Sequence, residues 1–200
     1  MNNGTDTKQS ILDAARKEFL QCGYHKASLR EICRRAGTTT GALYFFFKNK
    51  VDLFESVVSE KAERLMYLIR RQSTVELCDS GEKEVCQSEL NKFLCDNKDE
   101  ILILLNRSEG TPYEGFRDEF GRELARGFFA FYDNSGGTEE YRDIMKFIIR
   151  MRVQGYIEML NGDYDMDRMM KFSALMEAYG DSGFAGMMDA FDSITKGSVG

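Results

Sequence analysis

The sequence predicts an all-α protein, with an amino-terminal three-helix helix-turn-helix unit followed by a larger helical domain, about nine helices in all. Three observations predict it. Apolar residues recur at three- and four-residue spacing along most of the chain, runs alternating apolar and polar residues are nearly absent, and a single Pro stands among 200 residues. Helix-capping signals follow one another closely over the first 53 residues.

Each element has its own warrant. Ile11, Ala15 and Phe19 fall at i, i+4 and i+8 with Leu12 beside them, so a first helix is expected from a Thr7 cap to a stop at Gly23. Ser28-Leu29-Arg30-Glu31 reads as a capping box, in which Ser and Glu side chains satisfy each other's free amides; it opens a short helix ending at Gly37. Thr38 or Thr39 then caps a helix through Leu43, Tyr44 and Phe47. Asn49 with Asp52 opens a long helix through Leu53, Val57, Leu65 and Leu68. Beyond it, helices are expected near 82–96, 98–107, 112–133, 137–161 and 165–190. Gly110, the run 134–137 and Asn161-Gly162 supply turns, and Pro112 suits a first helical turn.

The net charge of −6 hides an uneven distribution. Residues 1–50 carry nine Lys and Arg against four Asp and Glu, a net +5, whereas residues 51–200 carry −11. That asymmetry is the pattern of a chain in which one part meets a polyanion. Charge-free apolar stretches such as 101–106 and 127–132 are far shorter than the roughly 20 residues of a membrane span, and the amino terminus has no secretory pattern. A cytoplasmic location without membrane contact is expected. Five Cys with no C-x-x-C spacing read as reduced thiols, Cys22 and Cys33 as small buried apolar groups. Asp163, Asp165 and Asp167 resemble the start of a calcium loop, but Arg168 and Ala174 stand where it needs Gly and Glu, and helix capping is the better account. No catalytic residue, metal site or cofactor is assigned, and enzyme motifs such as G-x-S-x-G and H-E-x-x-H are missing.

Two short helices joined by Ala36-Gly37-Thr38 match a helix-turn-helix, whose second helix enters the DNA major groove. Thr39 and Thr40 at its amino terminus, Tyr44 one turn on, and Lys48 and Lys50 beyond can converge on backbone phosphates. The run from Ser28 to Lys50, with Leu53, resembles the DNA-binding domain of the TetR/AcrR family of transcriptional repressors, carried by the spacing Gly37, Gly41, Tyr44, Phe47 and Lys50. Thr38, Phe45 and Phe46 depart from the family's usual residues. The resemblance implies a DNA-binding domain over residues 1–50, with Ser28, Thr39, Thr40, Gly41, Ala42, Tyr44, Phe45, Lys48 and Lys50 at the duplex. It also implies a ligand-binding and dimerisation domain over 51–200. Gly41, Ala42 and Phe45 lack polar reach, so base readout should lean on thymine methyls and favour an A·T-rich operator.

In the second domain, Ile144, Ile148, Met151, Gly155 and Met159 form one stripe, and Tyr141, Met145, Ile149 and Tyr156 another. One can face the protomer core and the other a partner. The resemblance implies a homodimer built by the last two helices, the final one rich in Met. Phe93, Leu105, Tyr113, Phe116 and Phe120 belong to an aromatic region expected to line a pocket for an apolar or aromatic effector. The leading expectation is a homodimeric repressor released from its double-stranded operator by a small molecule. The alternative is a helical DNA-binding or protein-interaction module with no effector.

Overall fold

The protein is represented by a computed structural model that describes residues 3–77, 82–134, 139 and 142–197. Nine helices and no strand occur among the described residues: α1 (Asn3–Lys26), α2 (Leu29–Arg35), α3 (Thr40–Phe46), α4 (Lys50–Leu77), α5 (Lys83–Asp96), α6 (Lys98–Asn106), α7 (Phe116–Asn134), α8 (Arg142–Asn161) and α9 (Met166–Gly197). The all-α expectation holds. Helices α1, α2 and α3 close around Ile11, Phe19, Ile32, Leu43 and Phe47, all buried. The same apolar cluster continues through Leu53, Phe54 and Val58 of α4 into the body. Phe54 packs edge-on to Phe19 of α1, with ring centroids 5.0 Å apart, so α4 belongs to both regions.

Local chemistry explains where the helices begin and end. Gly23 has φ 74° and ψ 165°, which breaks the path of α1 where a stop is expected. The start differs from expectation. Helix α1 begins at Asn3, placing Thr7 inside it, and Ser10 Oγ donates to the Asp6 carbonyl at 2.9 Å. Ser28 caps α2 by accepting from the Glu31 amide, but the return arm of the capping box is replaced. The Ser28 amide donates to Glu18 Oε1 at 3.1 Å, while Glu31 turns to Arg34 and Arg35 at 2.6 and 2.9 Å. Of the two Thr candidates, Thr39 caps α3, accepting from the Ala42 amide at 3.2 Å. The Asn49–Asp52 box is complete: Asp52 N donates to Asn49 Oδ1 and Lys48 N to Asp52 Oδ2, at 2.9 and 2.7 Å.

Helix α7 starts at Phe116 rather than near 112. Short polar side chains hold the preceding residues in turns. Ser108 Oγ donates to the Leu104 and Tyr113 carbonyls, Thr111 Oγ1 donates to the Ser108 carbonyl, and Gly110 N donates to Glu114 Oε2. Cys33 and Cys86 are buried, whereas Cys22 is exposed, contrary to expectation, because it lies on the outer face of α1, away from Phe19 and Gly23, which are buried. Cys78 and Tyr141 lie outside the described residues, as do the side chains of Phe128, Phe131 and Met188. Asp165 caps α9 through the Arg168 amide at 2.9 Å, the role expected for the acidic run.

In the body, α4 packs against α5, α6 and α7; α7 packs against α8, and α9 against α5. Met145, Ile149, Val153, Ile157 and Leu160 turn α8 inward. Ile144, Phe147 and Met151 stay exposed on its outer face, and Leu175, Met176 and Tyr179 stay exposed on α9. Of the stripe Ile144, Ile148, Met151, Gly155 and Met159, Ile144 and Met151 are exposed and Met159 is buried. No helix among the described residues is long and apolar enough to cross a membrane.

Candidate nucleic-acid interface

The turn between α2 and α3 is set by one backbone requirement. Gly37 has φ 64°, which a side chain would strain, and the Thr38 amide returns to the Cys33 carbonyl at 2.9 Å. This closes the end of α2 and aims α3 across it. Leu43 is fully buried under α3 and Phe47 anchors its end, so the opposite face must point outward. On that face Tyr44 is 53% and Phe45 83% exposed, the latter an unusual cost for an aromatic ring in water. Phe45 is braced by an edge-on contact with Phe46 at 5.1 Å. Thr39, Thr40 and Gly41 are also exposed, with Ala42 half-buried beside them.

Gly41 is not required by the fold. A Cβ there would meet only Thr39 Oγ1, at an ordinary 3.8 Å, and the backbone is helical. Its bareness therefore matters only to something approaching from outside. Thr39 accepts from Ala42 N and keeps its hydroxyl hydrogen for an external acceptor. Ser28 and Lys48 are exposed at neighbouring helix starts.

Lys50 is placed differently from the rest. Its ammonium donates to the His25 carbonyl at 3.1 Å and stands 4.7 Å from the Tyr24 ring centroid. Burial pushes its pKa below the ordinary lysine range, against a smaller upward pull from Glu18. Lys50 thus ties α4 to the end of α1 and has only its remaining donors for a phosphate. Arg34 and Arg35 are likewise occupied by Glu31, and Arg35 also by Gln21. These two guanidiniums hold the Glu31 carboxyl well below its usual 4.5, down to about 2.

The interface is joined to the body at three points. Arg16 of α1 donates to Glu100 Oε1 of α6 at 3.1 Å, with Asp99 3.9 Å away. The Tyr24 amide donates to the Arg107 carbonyl at 3.0 Å. Gly110, at φ 77°, lies under the His25 ring so closely that a Cβ would stand 2.4 Å from Cε1.

The five expected effector residues are all in the body. Leu105, Phe116 and Phe120 are buried in the main core, and Phe93 and Tyr113 pack against it. Tyr113 lies 6.2 Å from Phe54 and Phe120 6.3 Å from Tyr156, ring to ring. Two hollows lie between α8 and α9 and beneath them, beside Gln72, Ser73, Arg152, Tyr156 and Ser173. One sequence signal could have found the hollow beneath: Gln72 and Ser73 continue the apolar stripe of Leu65 and Ile69, where a polar residue faces inward.

Comparison with known proteins agrees with this geometry. The family model described as "Bacterial regulatory proteins, tetR family" matches residues 11–57, from the first buried residue of α1 to the shared start of α4. Among curated proteins, the HTH-type transcriptional repressor BepR of Brucella suis is 43% identical over 53 residues, covering 26% of this chain and 25% of that protein. The HTH-type transcriptional regulator AcrR of Shigella flexneri is 48% identical over 52 residues, covering 26% and 24%. The matches thus span about a quarter of these relatives' length. A TetR-like transcriptional regulator from Rhodococcus sp. RHA1 shares the fold with a TM-score of 0.60 at 17% identity, over 88% of this chain and 96% of that one. A transcriptional regulator from Aquifex aeolicus VF5 gives 0.58 at 18% identity, over 86% and 98%. Residues 11–57 thus match the family described as "Bacterial regulatory proteins, tetR family", and the chain shares its fold with these regulators over most of its length.

Proposed function

We propose that the protein is a sequence-specific DNA-binding repressor that acts as a homodimer and leaves its operator when a small molecule binds the body. The observation that carries the reading is the outer face of α3. It exposes Tyr44 and Phe45 at a cost in hydration, beside a Gly41 that no internal contact demands. A duplex supplies what that face lacks: phosphates for Tyr44, Thr39 and Lys48, and thymine methyls for Phe45 and Ala42. The division of labour falls near residue 50, with the net +5 on the DNA side and −11 on the other.

The homodimer rests on two exposed apolar strips, Ile144, Phe147 and Met151 on α8 and Leu175, Met176 and Tyr179 on α9. Paired about a two-fold axis, they would cover one another. Two recognition helices then bind successive major grooves only at one separation, roughly 34–36 Å. An effector that prefers a body conformation with another separation shifts the population away from DNA. The route would run through α4, which is continuous between the regions, and through the Arg16–Glu100 pair.

Selection from random duplexes with the full chain tests this directly. The expected product is an A·T-rich inverted repeat with half-sites about one helical turn apart. No enrichment over bulk sequence, or a G·C-rich half-site, overturns the readout. Gel shifts with a panel of small molecules test release, and a panel that shifts nothing favours a module without an effector.

A further inference from the structure

Resting on the regulator reading for the duplex but not for the geometry, we infer that Glu18 of α1 is a positioning residue for base readout: its carboxylate holds α2 at both ends and so sets the angle at which α3 meets DNA. Glu18 is 3% exposed. Its Oε1 accepts from the amide of Ser28, the residue that caps the start of α2, at 3.1 Å. Its Oε2 has no hydrogen bond among the described residues and faces Nη2 of Arg35, the last residue of α2, at 3.4 Å. The same Nη2 donates to Gln21 Oε1 at 3.1 Å, one turn along α1 from Glu18. Both ends of α2 are thereby tied to one face of α1.

The link between α1 and α2 is held by both signs of charge. Lys50 Nζ donates to the His25 carbonyl at 3.1 Å, and Glu18 takes the Ser28 amide three residues on. Burial lowers the Lys50 pKa, and the charge of Glu18 opposes that in part, so the carboxylate is felt at the start of α4 as well.

A charge stands here because packing cannot do the same work. Ile32 and Cys33 are the buried residues of α2, and apolar contact is non-directional: it fixes how deep a helix lies, not how it is tilted. Burying a carboxylate is costly, and an apolar side chain of similar volume serves stability as well or better. Directional bonds from a charged group fix orientation instead. The tilt of α2 passes to α3, because Gly37 and the bond from the Thr38 amide to the Cys33 carbonyl close the turn between them. On α3, Gly41, Tyr44 and Phe45 must arrive within about 0.5 Å of their partners to read them. At 3% exposure Glu18 cannot reach the duplex itself and acts only through these helices.

Glu18→Gln tests the role, since it keeps an acceptor for the Ser28 amide and drops the charge that faces Arg35. Affinity of the full chain is measured on the duplex that the wild type selects from a random pool, and on a random-sequence duplex of the same length. The variant should lose about tenfold or more on the selected duplex and less than about threefold on the random one. Glu18→Asp keeps the charge but is one methylene too short to hold both ends, and should lose the preference too. Arg35→Gln breaks the contact from its partly exposed side, and adding Glu18→Gln to it should cost nothing further. Equal losses on both duplexes would make Glu18 a support of the fold alone and overturn the inference. An unchanged preference, rescue by Asp, or a double variant worse than Arg35→Gln overturns it as well. Amide NMR without DNA gives a second readout: Glu18→Gln should move the resonances of residues 39–46 while those of the body stay in place, and α3 resonances that do not move reject the role. A wild-type chain that prefers no duplex overturns the regulator reading instead, and the α3 resonances then decide whether Glu18 sets the pose.

Discussion

In the first 48 residues Ile11, Phe19, Ile32, Leu43 and Phe47 are inside and Thr39, Thr40 and Lys48 outside, with the exposed Tyr44 and Phe45 of α3 and the buried Glu18 as the exceptions. The body partly inverts that order. It leaves Phe147, Met151, Leu175 and Tyr179 exposed, and it encloses Gln72, Ser73, Asn91 and Ser173. A surface that meets a hydrated polyanion can keep its working groups in water until contact. On the proposed reading, the body holds a copy of itself on the outside and a small molecule within, and so places apolar groups where water is and polar groups where it is not.

The sharpest way to break the contrast is to ask whether the two regions are separate at all. Phe54→Ala removes a buried ring that packs on Phe19 from the shared helix, and about 3–5 kcal/mol of stability should go with it. Urea denaturation followed by a probe in each region should show one transition; two separate transitions would mean the head and body fold apart. Next in size is the outer apolar strip. Phe147→Glu with Leu175→Glu should weaken self-association by about a hundredfold or more, roughly 3 kcal/mol, read by sedimentation. An unchanged dimer would leave those strips unexplained.

On the head, Tyr44→Ala and Phe45→Ala should each cost about 1–3 kcal/mol of operator affinity without lowering the melting temperature, since both rings are exposed. Lys48→Ala should reduce the slope of log affinity against log salt by about one, equally on specific and random duplexes. Lys50→Ala should also lower thermal stability, because its ammonium already serves His25 and Tyr24.

The smallest effect is electrostatic. The Glu31 carboxyl, held down to about 2 by Arg34 and Arg35, favours the folded head fully above its usual 4.5. That contribution is lost as pH falls from there through about 2. The melting difference between the wild type and Glu31→Gln should shrink over that range and vanish below it. NMR titration of Glu31 near 4.5 would remove the pairing.

What could be read from the sequence follows from distance along the chain. Ser28, Gly37, Thr39 and Asn49 act on backbone within a few residues of themselves, and each does what its position implies. Ser28's own amide was misread because its acceptor, Glu18, lies on another helix. Lys50 looked like a free cation for the same reason, since Tyr24 and His25 reach it only after α1 and α4 meet. The late start of α7 was hidden in the competing hydrogen bonds of Ser108 and Thr111. The residues between 93 and 120 expected around an effector include Phe116 and Phe120 of the main core, and the pattern that places an aromatic ring inward is the same for a core and for a cavity wall. The inward aim of Gln72 and Ser73 is revealed only by the packed helices.

The joint between the regions has an evolutionary meaning. It is built from the Tyr24 amide on the Arg107 carbonyl, the Lys50 ammonium on the His25 carbonyl, and a ring lying over the bare Cα of Gly110. None of these atoms belongs to residues 27–49, the stretch that contains α2, the turn and α3. On the proposed reading, exchange of that stretch as a cassette gives the same body a new DNA target while these three contacts stay where they were.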